Sequence, residues 1–124
     1  MSRHESLVKS FGYAFQGIIH ALRNNQNLKI AFAGAVFVVI ASIFFRVTPF
    51  EMGILGVMIL LVICAEMINS AIEEMVDLIT NEHRQEAKIA KDVSAGMVLL
   101  TLIGSVIVGL LIFVPYVIKY IKQI

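Results

Sequence analysis

The side chains best suited to chemistry in this sequence lie in one stretch, VICAEMINSAIEEMVDLIT, residues 62–80. It opens as an apolar run and then carries Glu66, Asn69, Glu73, Glu74 and Asp77. An α-helix turns about 100° per residue, so Glu73 falls about 20° to one side of Glu66 and Asp77 about 20° to the other, with Asn69 about 60° away. Three carboxylates and an amide therefore share one stripe. Glu74 points about 80° off that stripe and is expected to meet water or lipid headgroups. A charged side chain at bilayer depth costs roughly 2.5–3.5 kcal/mol on insertion scales. Glu66 follows residues 52–65, which hold no charge, and it calls for water, a cation or a partner charge to compensate it.

A stripe of oxygen donors suits a hard divalent cation such as magnesium, which takes one or two carboxylates and completes its shell with water and substrate phosphates. Lys91 and Asp92 follow, just before another apolar run. Lys91 is placed to meet a phosphate oxygen. Metal ligands, a cationic phosphate contact and a candidate base are the parts of phosphoryl transfer. Neither a P-loop nor a protein-kinase glycine loop is present, so a nucleotide site must be built another way. His4, His20 and His83 lack metal-ligand spacing, and Cys64 stands alone in an apolar stretch, which rules out an internal disulfide.

The elements that must hold these groups are written in the composition. The chain has 124 residues, 59% hydrophobic and 15% charged, with mean hydropathy +0.88. Soluble domains carry roughly 25% charged residues, so the chain reads as one membrane domain, 1–124. Net charge is +1 and no basic run occurs, so no nucleic-acid partner is expected. The N-terminus has neither an uninterrupted apolar core nor a small-residue cleavage site, and it is not read as a signal peptide. Residues 6–23 repeat Leu7, Phe11, Ala14, Ile18 and Leu22 at helical spacing, with Lys9, Gln16, His20 and Arg23 on the other face. That pattern predicts an amphipathic helix lying on the membrane surface.

NNQN, 24–27, reads as a turn. Three spans follow, at about 28–45, 52–72 and 93–118, with Pro49 as a breaker after the first and a charged segment, 73–92, after the second. Three spans place the N-terminal helix and the charged segment on one side. That side holds Arg3, Lys9, Arg23, Lys29, Arg84, Lys88 and Lys91, against Arg46, Lys119 and Lys122 on the other. The asymmetry predicts a cytoplasmic N-terminus and charged segment, on the side where ATP is found.

AEMINSAIEEMVD, 65–77, closely resembles the signature of the prokaryotic diacylglycerol kinase family, which includes the undecaprenol kinases of Gram-positive bacteria. Glu66, Asn69, Ser70, Ala71, Glu73 and Asp77 carry the match. AKDVSAG, 90–96, matches the family's second block, and KSFGYAFQGI resembles its surface helix. The likeness covers nearly the whole chain. It implies a small homotrimeric kinase of the bacterial inner membrane, all-α, with three spans and a surface helix. Such a kinase moves the γ-phosphate of magnesium-bound ATP to the hydroxyl of a lipid alcohol, diacylglycerol or undecaprenol.

Carried over by position, Glu66 resembles the general base, Glu73 the metal ligand and Asn69 an active-site amide. Lys91 and Asp92 resemble nucleotide contacts, as do Tyr13, Glu82, His83 and Arg84, and Ala95 in the second block falls at a lipid-contacting position. Two positions depart from the pattern. Asn25 stands where the family usually has a second metal-binding glutamate, and can offer only its carbonyl oxygen. Ser6 stands where an arginine often contacts nucleotide, with Arg3 nearby. DLIT and EHRQEAKIAKD look like the Gram-positive branch, several members of which favour undecaprenol.

Two other readings compete. A small proton-coupled exporter can carry one essential membrane glutamate, but it predicts four spans and no phosphate-binding segment. A catalytically weak relative serving as an accessory subunit would account for the Asn25 and Ser6 departures. Transfer of labelled phosphate from ATP to lipid separates all three.

Overall fold

A computed structural model describes residues 2–124. The chain forms four helices: α1, Arg3–Asn24; α2, Gln26–Phe45; α3, Pro49–Ile79; and α4, Gln85–Gln123. Among the described residues three helices, α2, α3 and α4, are long and apolar enough to cross a membrane. This is the number read from the sequence and not the four that an exporter predicts.

Side-chain caps fix the starts of α1, α2 and α3, while α4 begins without one. Ser2 and Glu5 form a reciprocal capping box, with Ser2 Oγ accepting from Glu5 N at 3.2 Å and Ser2 N donating to Glu5 Oε2 at 3.0 Å. Thr48 and Glu51 repeat the device at α3 (3.1 and 2.9 Å), where Pro49 opens the first turn. There its fixed φ is suited to a helix and its missing N–H is not needed. Pro49 therefore starts α3 as much as it ends the preceding turn. Arg46 closes α2 in the left-handed region (φ 53°).

The junction between α1 and α2 is tighter than the predicted four-residue turn. Only Asn25 leaves the helical conformation. Its backbone N–H donates to the Ala21 carbonyl, ending α1, and its Oδ1 accepts from Leu28 N at 3.2 Å, capping α2. One residue does both jobs, so Asn24 stays in α1 and Gln26 and Asn27 begin α2.

The spans are longer than the apolar runs. α3 has 31 residues and α4 has 39, and at about 1.5 Å per residue α3 extends about 46 Å. The hydrocarbon core is about 30 Å thick. Hydropathy marks where the bilayer ends, but the backbone stays helical beyond it. The charged segment 73–92 is mostly helix, broken only at 80–84. Counting from Pro49, Glu66 lies about 26 Å along α3 and Glu73 about 36 Å, so the stripe runs from the edge of the apolar zone outward.

α3 and α4 pack together most extensively, α2 lies against α3, and α1 rests against α2. The buried apolar residues are Leu28, Leu55, Ala65 and Ile112. Most other large apolar side chains face outward, and α1 buries none of its residues. At the end remote from the stripe, Phe45 packs against Phe44, Phe113, Tyr116 and Tyr120. There Tyr116 Oη donates to Glu51 Oε1, tying α4 to the first turn of α3.

Candidate active site

Because α3 runs unbroken from Pro49 to Ile79, Glu66, Asn69, Glu73 and Asp77 share one face of it. Glu66 and Asn69 are buried, at 6% and 9% exposure, while Glu73 and Asp77 are exposed. A chain of hydrogen bonds orients the middle of the stripe. Ser94 of α4, itself buried, donates from Oγ to Asn69 Oδ1 at 2.6 Å. That fixes the amide so that Asn69 Nδ2 donates to Glu73 Oε1 at 3.3 Å. One turn of α4 therefore sets the direction of a carboxylate on α3. The tie was not read from the sequence, since its partners are 25 residues apart; the only sequence signal was a serine inside the AKDVSAG block.

Two cavities meet at this stripe. A polar cavity of about 620 Å³ lies between α1, the α1–α2 junction and α3, with His20 and Asn24 to Asn27 on one wall and Asn69, Glu73, Glu74 and Asp77 on the other. An apolar groove of about 780 Å³ runs between α2, α3 and α4, from Asn27 and Glu66 at its head to Phe113 and Val117 at its foot. Glu66 is the one carboxylate lining the groove. Its Oε2 is buried and has no hydrogen-bond partner among the described residues. Leaving a buried polar atom unsatisfied costs about 1–3 kcal/mol, and Glu66 is the lining residue of the groove that carries such an atom.

The structure brings Asn25, Asn69 and Glu73 to one cavity, with Glu66 about one helical turn from Asn69 at the head of the groove. Asn25 Nδ2 donates to Ser70 Oγ, clamping the α1–α2 junction to α3 one residue from Asn69. The carbonyl oxygen expected to face a metal also caps α2, leaving it one further lone pair. Glu74 is exposed, as its direction off the stripe predicts. It lines the polar cavity, and its Oε1 lies 3.8 Å from His20 Nε2 on α1.

Apart from Glu73, the expected nucleotide contacts line neither cavity, although Lys91 is bonded to a residue that does. Lys91 Nζ is bonded to Asp77 Oδ1 at 2.6 Å, Lys88 Nζ to Asp92 Oδ2 at 2.6 Å, and Arg84 Nε to Glu82 Oε2 at 3.3 Å. Glu82, His83 and Arg84 sit exposed in the segment between α3 and α4. Tyr13 is 67% exposed, and neither it nor Ala95 lines the polar cavity or the groove. Exposed ion pairs are worth about 0–1 kcal/mol, so each of these cations is held only weakly by its carboxylate.

Known proteins share this arrangement of sequence. Residues 12–113 match the family described as prokaryotic diacylglycerol kinase. The chain is 39% identical over 107 residues to the undecaprenol kinase of Bacillus subtilis, spanning 86% of this chain and 87% of that protein. It is 36% identical over 111 residues to the diacylglycerol kinase of Synechocystis, covering 89% of this chain and 63% of that protein. It is 29% identical over 101 residues to the diacylglycerol kinase of Escherichia coli, covering 82% and 83%. With most of its length matched, and the buried carboxylate and its neighbouring amide standing within the matched stretch, the chain belongs to the prokaryotic diacylglycerol kinase family.

Proposed function

We propose that the chain transfers the γ-phosphate of ATP to the hydroxyl of a membrane lipid alcohol. The observation that carries this reading is the junction of the two cavities: an apolar groove for hydrocarbon opens at its head beside a polar, carboxylate-lined cavity, and the buried Glu66 oxygen without a partner stands at that head. Glu66 takes the proton of the lipid hydroxyl as general base, a role typically worth 10²–10⁴-fold. Asn69, held by Ser94, keeps Glu73 turned to the phosphate side. Lys91, released from Asp77, neutralises a phosphate oxygen. The remaining work is positioning, which dominates phosphoryl transfer.

A magnesium ion fits the donors present. The polar cavity offers carboxylate and amide oxygens, the hard ligands such an ion prefers. Magnesium takes one or two such ligands and leaves positions for water and phosphate. Glu73 would hold it, with Asn25 contributing at most its second lone pair. When bound it supplies charge neutralisation for the transferring phosphate.

We place α1 on the membrane surface, since Leu7, Phe11 and Phe15 are exposed while Lys9, Gln16 and Arg23 stand on its other face. The homotrimer, the inner-membrane location and the cytoplasmic N-terminus are inferred from the family and the charge asymmetry. Between the two lipids, the Bacillus subtilis relative named undecaprenol kinase favours undecaprenol. The test is purified chain in vesicles with magnesium and labelled ATP, supplied with diacylglycerol and undecaprenol side by side. Label in the lipid extract is expected, with undecaprenol the better acceptor. No label in either lipid overturns the kinase reading.

A further inference from the structure

We propose that Asn27 is a substrate-orienting residue, its side-chain amide holding the oxygen of the lipid hydroxyl while Glu66 takes the proton. This rests on the lipid kinase reading above and adds to it a residue and a task. Asn27 alone lines both the polar cavity and the apolar groove. It is the second residue of α2, exposed, at the place where a hydrocarbon chain in the groove would present its head to a phosphate in the cavity.

Its neighbours are already engaged. Asn24 Nδ2 donates to the His20 carbonyl at 2.8 Å, and Asn25 bonds Ser70 and caps α2. Among the described residues the Asn27 side chain bonds to none, so of the three asparagines at the junction it is the one with both amide hydrogens free. It is also neutral, and so adds no charge beside a buried carboxylate.

The geometry of the acceptor completes the argument. An alcohol oxygen has four tetrahedral directions: its carbon, its hydrogen and two lone pairs. The carbon lies in the groove and the hydrogen points to the Glu66 carboxylate, which lines it. One lone pair must face the γ-phosphorus from the polar cavity. The other needs a donor, or the oxygen is free to rotate about its carbon and lose alignment. An Asn27 N–H supplies that donor. In the step itself a bond forms between the lipid oxygen and the γ-phosphorus, the bond from phosphorus to the bridging oxygen breaks, ADP leaves with that electron pair, and Glu66 receives the proton.

The test compares Asn27→Ala, Asn27→Leu and Asn27→Ser with the unmodified protein in vesicles, titrating lipid alcohol and magnesium-ATP separately. One neutral hydrogen bond corresponds to a change of up to about tenfold. Asn27→Ala and Asn27→Leu are expected to lower kcat/KM for the lipid by about that factor and leave KM for ATP within about twofold. Asn27→Ser, which keeps a short donor, should recover part of the loss. Equal rises in both KM values, or a lipid kcat/KM within about twofold of the unmodified protein, overturns the role of Asn27 alone. An unmodified chain that phosphorylates no lipid overturns the kinase reading and this role with it.

Discussion

At the scale of single residues, the site is a relay of polar contacts from Ser94 through Asn69 to Glu73, beside a second carboxylate, Glu66, whose buried Oε2 has no partner among the described residues. Glu66→Gln keeps the size of the side chain and its burial but cannot accept a proton. It is expected to lower lipid phosphorylation by at least about 100-fold while leaving the thermal melting profile in detergent close to that of the unmodified protein; turnover near normal would remove Glu66 as the base. Ser94 acts through Asn69. Ser94→Ala frees the amide to rotate and leaves the buried Asn69 Oδ1 without its donor. A fall in kcat of about tenfold is expected, with KM for lipid little changed, because Ser94 lines neither cavity. Ser94→Thr, which retains the hydroxyl, should restore most of the rate, and failure of that rescue would make the loss one of packing. Glu66, Asn69 and Glu73 were legible in the sequence because their spacing on one helix fixes their common face. Ser94 was not, because its contact depends on how α3 and α4 meet.

At the scale of the elements, apolar runs located all three spans, since the bilayer imposes its thickness on the sequence. Their ends were less legible. Glu73 to Ile79 and Gln85 to Asp92 are helical although charged, because water tolerates a helix as well as it does a loop. The α1–α2 junction was read as four residues when one suffices. Asn25 is the element-scale residue of the site: it caps α2, binds Ser70 and faces the polar cavity. Asn25→Glu therefore carries two effects of opposite sign. Glutamate is a poor helix cap, so stability should fall by about 1 kcal/mol, seen as a lower melting temperature. The added carboxylate should lower the magnesium concentration that gives half-maximal activity. An unchanged magnesium titration would separate Asn25 from the metal and leave it as a structural clamp.

At the scale of the whole molecule, the two ends of the bundle have different tasks. One end is closed by the Phe45 aromatic cluster and the bond between Tyr116 and Glu51. The other opens through α1, the α1–α2 junction and α3 into the polar cavity. On the proposed kinase reading ATP reaches that cavity only from the cytoplasm, and the distribution of lysine and arginine predicts that orientation. Orientation is therefore a functional requirement and can be measured without any assay of activity. In a Cys64→Ala background, Lys122→Cys at the far end of α4 should react with a membrane-impermeant maleimide added to intact spheroplasts. Ser10→Cys on α1 should react only after the membrane is opened. The reverse pattern would leave Glu73 and Glu74 facing a compartment without nucleotide, and no arrangement of side chains within the site could then make the chain a kinase using cellular ATP.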